Sequence, residues 1–518
     1  MFDHLSEADD AAVVDVMAAA TRDEAAAAAR RLAAIAELVA RHAIGPTDCG
    51  RWSCDNWDAI AAQVGAALNI SQSLSSHQMY QALALRTRLP AVGALLAAGR
   101  LSLRLVTTII WHTELIKDPA VLRVVDAALA NDALGYGPLT QPKTAKAIDA
   151  IIARCDPAAV RRARNGARSR DVVITPADDG SGTAQLWGTL LGTDAAVLDR
   201  RLSEMAHQVC ADDPRTVAQR RADALGVLAA DGVRLACQCP DPDCTARVPD
   251  ARASAVVIHV IAEPATAAAP PDPRLNGEQP HRVDPDNPLR PTPDPEPAGV
   301  CLPAAQIVGG PTVPAAHLSA LIAAGATIAP IDYCPEPTPG YRPSAALARF
   351  IRARDLTCRF PGCDRPADTC DIDHAIAYPF GPTHRANLRC LCRKHHLLKT
   401  FWGGLRGWRD RQLPDATIIW TSPTGHTYTT HPGSRLFVPA LCRPSDPIPA
   451  TTTPPVDGPR GLMMPTRRRT RAQDRRARIN TERAQNLAQL ASPKPSPKPA
   501  PRAPQPLHPP DSGEPPPF

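Results

Sequence analysis

Between about Thr21 and Asp231 apolar side chains recur at three- and four-residue spacing, as at Leu32, Ile35, Leu38 and Val39, which predicts a succession of amphipathic helices. Two β-branched runs interrupt the pattern. Arg170 to Pro176 and Thr183 to Leu190 flank the turn-forming Asp178-Asp-Gly-Ser-Gly182 and predict a β-hairpin. Thr193 then predicts the N-cap of a helix carrying Val197, Leu198 and Leu202. Ala253 to Ile261 reads as a buried strand, whereas Glu263 to Gly299 holds eleven prolines and reads as a linker or long loop. Order resumes near Val300 and reaches a helix from Ser344 to Arg354, with Leu347, Phe350 and Ile351 on one face. Beyond about Arg443 proline dominates again. There Thr466 to Arg483 sets eight arginines against Asp474 and Glu482, which predicts a disordered basic tail able to form a helix, here read to Ala488, on a phosphate backbone.

The pattern divides the chain into blocks. A mainly helical domain with a small β insertion spans residues 1–262, a proline-rich linker 263–299, and the remainder of that domain 300–343. A small metal-stabilised module occupies 344–432 and the basic, proline-rich tail 443–518. The fold class is therefore multidomain, mainly α.

Composition sharpens this picture only in places. Among 518 residues, 58 Lys and Arg face 52 Asp and Glu, an excess of +6, so the location of charge matters more than its total. The stretch from Met1 to Asp10 is acidic with no basic n-region, and the longest uncharged apolar run, Leu89 to Gly99, is too short to span a bilayer. A cytoplasmic protein without a membrane segment is expected. In a reducing compartment clustered cysteines hold metal more often than disulfides, and five of the fifteen cysteines fall between Cys358 and Cys392.

That cluster reads Cys358-Arg-Phe-Pro-Gly-Cys363, Asp371-Ile-Asp373-His374, and Asn387-Leu-Arg-Cys390-Leu-Cys392-Arg-Lys-His395-His396-Leu-Leu-Lys399. Cys358 with Cys363 and Cys392 with His395 make two ligand pairs, together a Cys3His set suited to tetrahedral structural zinc, Zn2+; Cys390 in place of Cys392 is the alternative. Asp373, His374, Asn387 and His396 suit phosphodiester hydrolysis. Oxygen and imidazole from Asp373 and His396 can hold a hard divalent cation, and neutral His374 can serve as a general base for water. Neighbours on a strand point to opposite faces, so Asp373 and His374 cannot share one ligand without a twist or bulge. Asn387 can hold the loop or the imidazole by hydrogen bonds.

These residues resemble the HNH endonucleases, which have a β-β-α-metal fold. The resemblance covers roughly Asp355 to Thr400 and rests on Asp373-His374, Asn387, His396 and the flanking zinc pairs. It implies that His374 activates water, that Asp373 and His396 bind a catalytic Mg2+ or Mn2+, and that Asn387 holds the active loop. The second zinc pair commonly ends in Cys in that family, whereas this chain has His395. The two-residue gap from Cys392 assigns His395 to zinc and leaves His396 for catalysis. The helical N-terminal region, the Ala253 strand and the Arg-rich tail resemble the domain of unknown function preceding HNH modules in the actinobacterial thirteen-E-twelve repeat family, which is associated with repetitive genomic elements. The expectation is a DNA endonuclease; a nucleic-acid-binding protein that keeps the fold without cutting is its competitor.

Cys237, Cys239 and Cys244 supply three thiols but no fourth ligand nearby in sequence, so a turn with free thiols competes with a metal site. Pro90 to His112 is compatible with a helix-turn-helix or a plain helical hairpin. Arg359, Arg389, Arg393 and Lys399, with Arg352, Arg354, Arg365, Arg385 and Lys394 around them, are candidate phosphate contacts or solvated surface charges. Trp402, Trp408, Trp420 and Tyr428 read as the core of a small β extension.

Overall fold

Alanine- and leucine-rich stretches become helices in a computed structural model, which describes residues 5–6, 8–42, 47–136, 139–161, 170–177, 182–249, 260–270, 276–277, 305–307, 312–323, 330–404, 407–445 and 463–491. In chain order come α1 (Asp10–His42), α2 (Asn56–Leu68), α3 (Gln72–Thr87), α4 (Pro90–Ala97), α5 (Leu103–Thr113), α6 (Pro119–Asp132) and α7 (Gln141–Cys155). The hairpin β1 (Asp171–Pro176) and β2 (Ala184–Thr189) follows, then α8 (Gly192–His207) and α9 (Val217–Ala229). Next are β3 (Val260–Ile261), α10 (Pro264–Ala267), β4 (Ala305–Ile307), β5 (Thr312–Val313) and α11 (Ala315–Ala323). The remaining elements are α12 (Ala345–Asp355), β6 (Asp371–His374), β7 (Leu388–Leu391), α13 (Arg393–Phe401), β8 (Arg409–Gln412), β9 (Ile418–Thr421), β10 (Thr427–Thr430) and α14 (Arg471–Ala491). No helix among the described residues is long and apolar enough to cross a membrane.

The elements form two units that are each discontinuous in sequence, unlike the consecutive blocks expected from composition. One draws on the described residues within 1–26, 87–162 and 471–518, the other on those within 27–86 and 163–470. In the first, Val92, Leu96, Val106, Ile109, Val125, Leu129, Ile148 and Ile152 are buried. Gly99 takes a positive φ of 69° in the α4–α5 turn, where a Cβ would lie 2.7 Å from the Arg22 carbonyl oxygen. Only glycine combines that backbone with that contact.

The basic tail requires a correction. Residues 471–491 form α14, and its polar groups find partners in the protein. Arg483 bonds Asp156 at 2.7 Å, Arg475 and Arg478 reach Glu114, and Glu482 meets Arg161 at 3.1 Å. Buried Asn486 donates to the carbonyls of Ala158 and Val160 at 2.8 and 2.9 Å. Residues 446–462 and 492–518 of the expected tail lie outside the described residues, as do the hairpin turn at 178–181, most of the proline-rich linker and 253–259 of the expected Ala253 strand. The helix assigned to a Thr193 cap starts two residues earlier, at Gly192 after extended Leu191, with no side-chain cap.

In the second unit, α12 begins at Ser344, whose hydroxyl accepts from the Leu347 amide at 3.2 Å, and buries Leu347, Phe350 and Ile351. Antiparallel β6 and β7 pair Asp371 with Leu391 and His374 with Leu388. The three-stranded β8–β9–β10 sheet adds Trp420, fully buried with its indole N–H on the Arg359 carbonyl at 2.9 Å, and Trp408 is buried beside it. Cys54, Ala59, Ala62 and Ala66 on and before α2 join this same core, and the Trp402 indole donates to the Cys54 carbonyl at 3.0 Å. Residues 344–432 therefore do not close a core by themselves.

Asp355 ties the core together. One carboxylate oxygen accepts from Arg354 at 2.8 Å and Arg359 at 3.1 Å, the other from the Cys390 amide at 2.8 Å. Burial raises its pKa, but the two guanidinium charges outweigh this and hold it below the usual carboxylate range. Removing one partner of a buried charge network strands the others, so Asp355→Ala should lower the stability of the full chain by about 3–5 kcal/mol in denaturant titration. A loss below about 1 kcal/mol would show the network to be energetically idle. Because the folded pKa is depressed, this stabilisation is present above the unfolded value of about 3.9 and is lost as pH falls through the folded one.

Candidate metal centre and catalytic cleft

A turn and a helix start bring the expected metal ligands together. Cys358 and Cys363 bracket Pro361-Gly362, where Gly362 has φ 71° and a Cβ would come within 2.7 Å of the Ile70 carbonyl oxygen at the end of α2. Extended Cys392 caps α13, which places His395 one turn inside the helix. The four ligand atoms lie within 4.8 Å of one another, and His395 Nδ1 sits 3.5 Å from Cys358 Sγ and 3.4 Å from Cys392 Sγ. Phe360 stacks on the His395 ring at 4.0 Å and fixes its orientation. Burial pushes the Cys358 thiol well up, hydrogen bonding with Cys358 raises Cys363, and the hydrogen bonds of both lower Cys392 toward the thiolate. The group can hold a metal ion. Cys390 is excluded from it, since its thiol turns to the Ile351 carbonyl at 3.9 Å.

The other named residues meet at the end of β6. Asn387 is fully buried; its oxygen accepts from the Ile376 amide at 2.7 Å, and its nitrogen donates to the carbonyls of Ile376 at 2.9 Å and Pro382 at 3.0 Å. It thereby pins the loop that follows His374. The His374 ring stacks on Tyr341 with centroids 5.3 Å apart, and Nε2 lies 2.9 Å from the Thr383 hydroxyl. That hydroxyl donates its single proton to the Gly340 carbonyl at 2.6 Å, so it accepts from His374 Nε2–H. In the neutral ring the lone pair is then on Nδ1. Burial lowers the His374 pKa against the opposing pull of Asp373, which favours this neutral form.

From α13, His396 Nδ1 bonds Asp371 Oδ2 at 2.9 Å and Nε2 lies 3.5 Å from Asp373 Oδ1. Two ligands on one small divalent cation, at about 2.1 Å each, stand no more than about 4.2 Å apart. A carboxylate on the far nitrogen is the usual partner of a metal-bound imidazole. The pair therefore fits such an ion. Asp373 Oδ2 is already engaged by Lys399 at 2.6 Å and Arg389 at 3.2 Å. Burial raises the Asp373 pKa, but the charges of Lys399, Arg389 and His396 prevail and hold it ionised.

Three sequence expectations for phosphate contacts need correction. Arg389 is fully buried between Asp373 and Asp410, its guanidinium 5.1 Å from the centre of the Trp420 ring. Arg359 is buried on Asp355 and the Thr430 carbonyl. Lys399 turns inward to Asp373 and the His374 carbonyl. A buried guanidinium is tolerated only when paired, and each of these has found a carboxylate or carbonyl of its own fold. Arg393 alone of the four is exposed, 3.0 Å from Asp371. Asp371 and Thr383 were not singled out in the sequence. The Asp-x-Asp-His spacing places Asp371 and Asp373 on one strand face and could have identified the first, whereas nothing local marks Thr383.

A family model described as a domain of unknown function, DUF222, matches residues 19–355 and ends just before Cys358. The uncharacterized protein Rv2100 of Mycobacterium tuberculosis strain H37Rv is 55% identical over 94% of this chain and 90% of its own length. From the same strain, the uncharacterized protein Rv3776 is 53% identical over 95% of this chain and 93% of its own. No solved structure matches the chain. With the family model covering most of the chain and relatives more than half identical along nearly all of it, the chain belongs to the DUF222 family.

Proposed function

We propose that the chain is a metal-dependent DNA endonuclease of the HNH type, acting in a reducing compartment such as the cytosol, with a structural zinc on Cys358, Cys363, Cys392 and His395. The observation that carries the reading is the paired arrangement on β6. Asp373 and His396 face each other with Asp371 behind the imidazole, while His374, the last residue of β6 and within reach of the charges of Asp373, Lys399 and His396, keeps Nδ1 as its basic atom. A Mg2+ or Mn2+ ion bound to Asp373 and His396 would supply neutralisation of charge on the phosphate and the leaving 3′ oxygen. His374 Nδ1 takes a proton from water, the water oxygen forms a bond to phosphorus, and the bond to the 3′ oxygen breaks, that oxygen being protonated from solvent. Thr383 and Tyr341 hold the imidazole, and Asn387 holds the loop on which Thr383 rides. Arg393, exposed and 3.0 Å from Asp371, suits a phosphate contact.

One observation favours a second reading, a nucleic-acid-binding protein that does not cut. The Lys399 ammonium, 2.6 Å from Asp373 Oδ2, competes electrostatically with a divalent cation at the same carboxylate. Incubating the purified full chain with supercoiled plasmid separates the two. Nicking that requires added Mg2+ or Mn2+ is expected, and retention of the plasmid in a gel shift without cleavage under any divalent ion would favour the second reading.

A further inference from the structure

The segment after α9, residues 231–249, contains neither helix nor strand, yet Cys237 and Cys239 within it are 4% and 1% exposed. The apolar core beneath is small, comprising Met205, Val209, Ala224, Val227 and Leu235. An irregular segment over so small a core needs another constraint to keep one conformation. Part of it is a buried ion pair. Asp213 bonds Arg215 at 2.7 Å and accepts from the Gln238 amide at 2.9 Å, while Arg215 donates to the Ala236 carbonyl at 2.7 Å. Arg247 donates to the Cys239 carbonyl at 2.5 Å. These clamps grip both sides of the Cys237-Gln-Cys239 turn and aim its two thiols at one point.

Cys210, a few residues beyond the end of α8, supplies what the sequence spacing lacked. Its Sγ lies 3.4 Å from that of Cys237, and the four sulfurs of Cys210, Cys237, Cys239 and Cys244 all fall within 4.8 Å of one another. Tetrahedral zinc, with Zn–S of about 2.3 Å, sets its sulfurs about 3.8 Å apart. A disulfide needs about 2.05 Å. Four thiols converging from two separate stretches of chain leave no open coordination position and exclude hard oxygen-seeking cations. We propose that Cys210, Cys237, Cys239 and Cys244 form a second, structural zinc site that fastens the irregular segment to the end of α8.

Metal analysis of the full chain tests this independently of any nuclease activity. Zinc content should fall by one ion per chain in the Cys239→Ser/Cys244→Ser variant, whether or not Cys363→Ser/Cys392→Ser removes another. Unchanged zinc in the first variant would overturn the site. Should that variant fold poorly, cobalt loading of the unsubstituted protein gives a second readout. Thiolate-to-cobalt charge transfer should then correspond to seven thiolates per chain, four here and three in the Cys358 group; intensity for three alone would overturn the site equally.

Discussion

Replacing Cys392 with serine should release the ion from the Cys358 group and unfold the segment from Cys358 to Phe401. Zinc binding in small modules contributes on the order of 10 kcal/mol, comparable to the whole stability of a domain at about 5–15 kcal/mol. The ligands also fix both ends of the segment, since Cys358 follows α12 and Cys392 begins α13. The unfolding should spread further. Gly362 lies against the Ile70 carbonyl, and Cys54, Ala59 and Ala62 share the core of Leu397 and Leu398. Hydrogen exchange should therefore accelerate in α2 as well as in α13. A variant that is folded and protected in both helices while carrying one zinc fewer would contradict a structural role for that ion.

The ligand pairs are legible in the sequence because metal coordination works over short spacings: a four-residue Pro-Gly turn and a two-residue gap on a helix each converge two side chains locally. Residue type and the HNH resemblance singled out His374, Asn387 and His396 as candidates, and sequence reading stopped where contacts are long-range. Cys210 lies 27 residues from Cys237 in sequence, and Thr383 lies nine residues beyond His374, across an intervening loop. Arginine burial was invisible for a related reason. Arg389 looks like a surface charge until Asp373 and Asp410 arrive from separate elements to pair it, and Arg359, only four residues from Asp355, also reaches the distant Thr430 carbonyl. In the tail, composition pointed to disorder because residues 466–488 offer few apolar side chains. Glu114, Asp156 and the carbonyls near Ala158 provide polar partners instead, and α14 forms on them.

His374→Ala should leave the fold and DNA binding in place, since the ring lies at the end of β6 and is held by the polar and stacking contacts of Thr383 and Tyr341. On the proposed mechanism its loss removes the proton acceptor for water, a contribution of roughly 10²–10⁴-fold in rate. Asp373, His396 and Asp371 remain, so the variant keeps the proposed divalent-ion ligands and separates the proposed base from the cation. The most direct measurement is the single-turnover rate of plasmid nicking by full-length parent and His374→Ala proteins at saturating DNA with Mg2+ or Mn2+. A parent that nicks and a variant slowed by at least about 10²-fold is the predicted result; equal rates in the two proteins would contradict the assignment of His374 as the base.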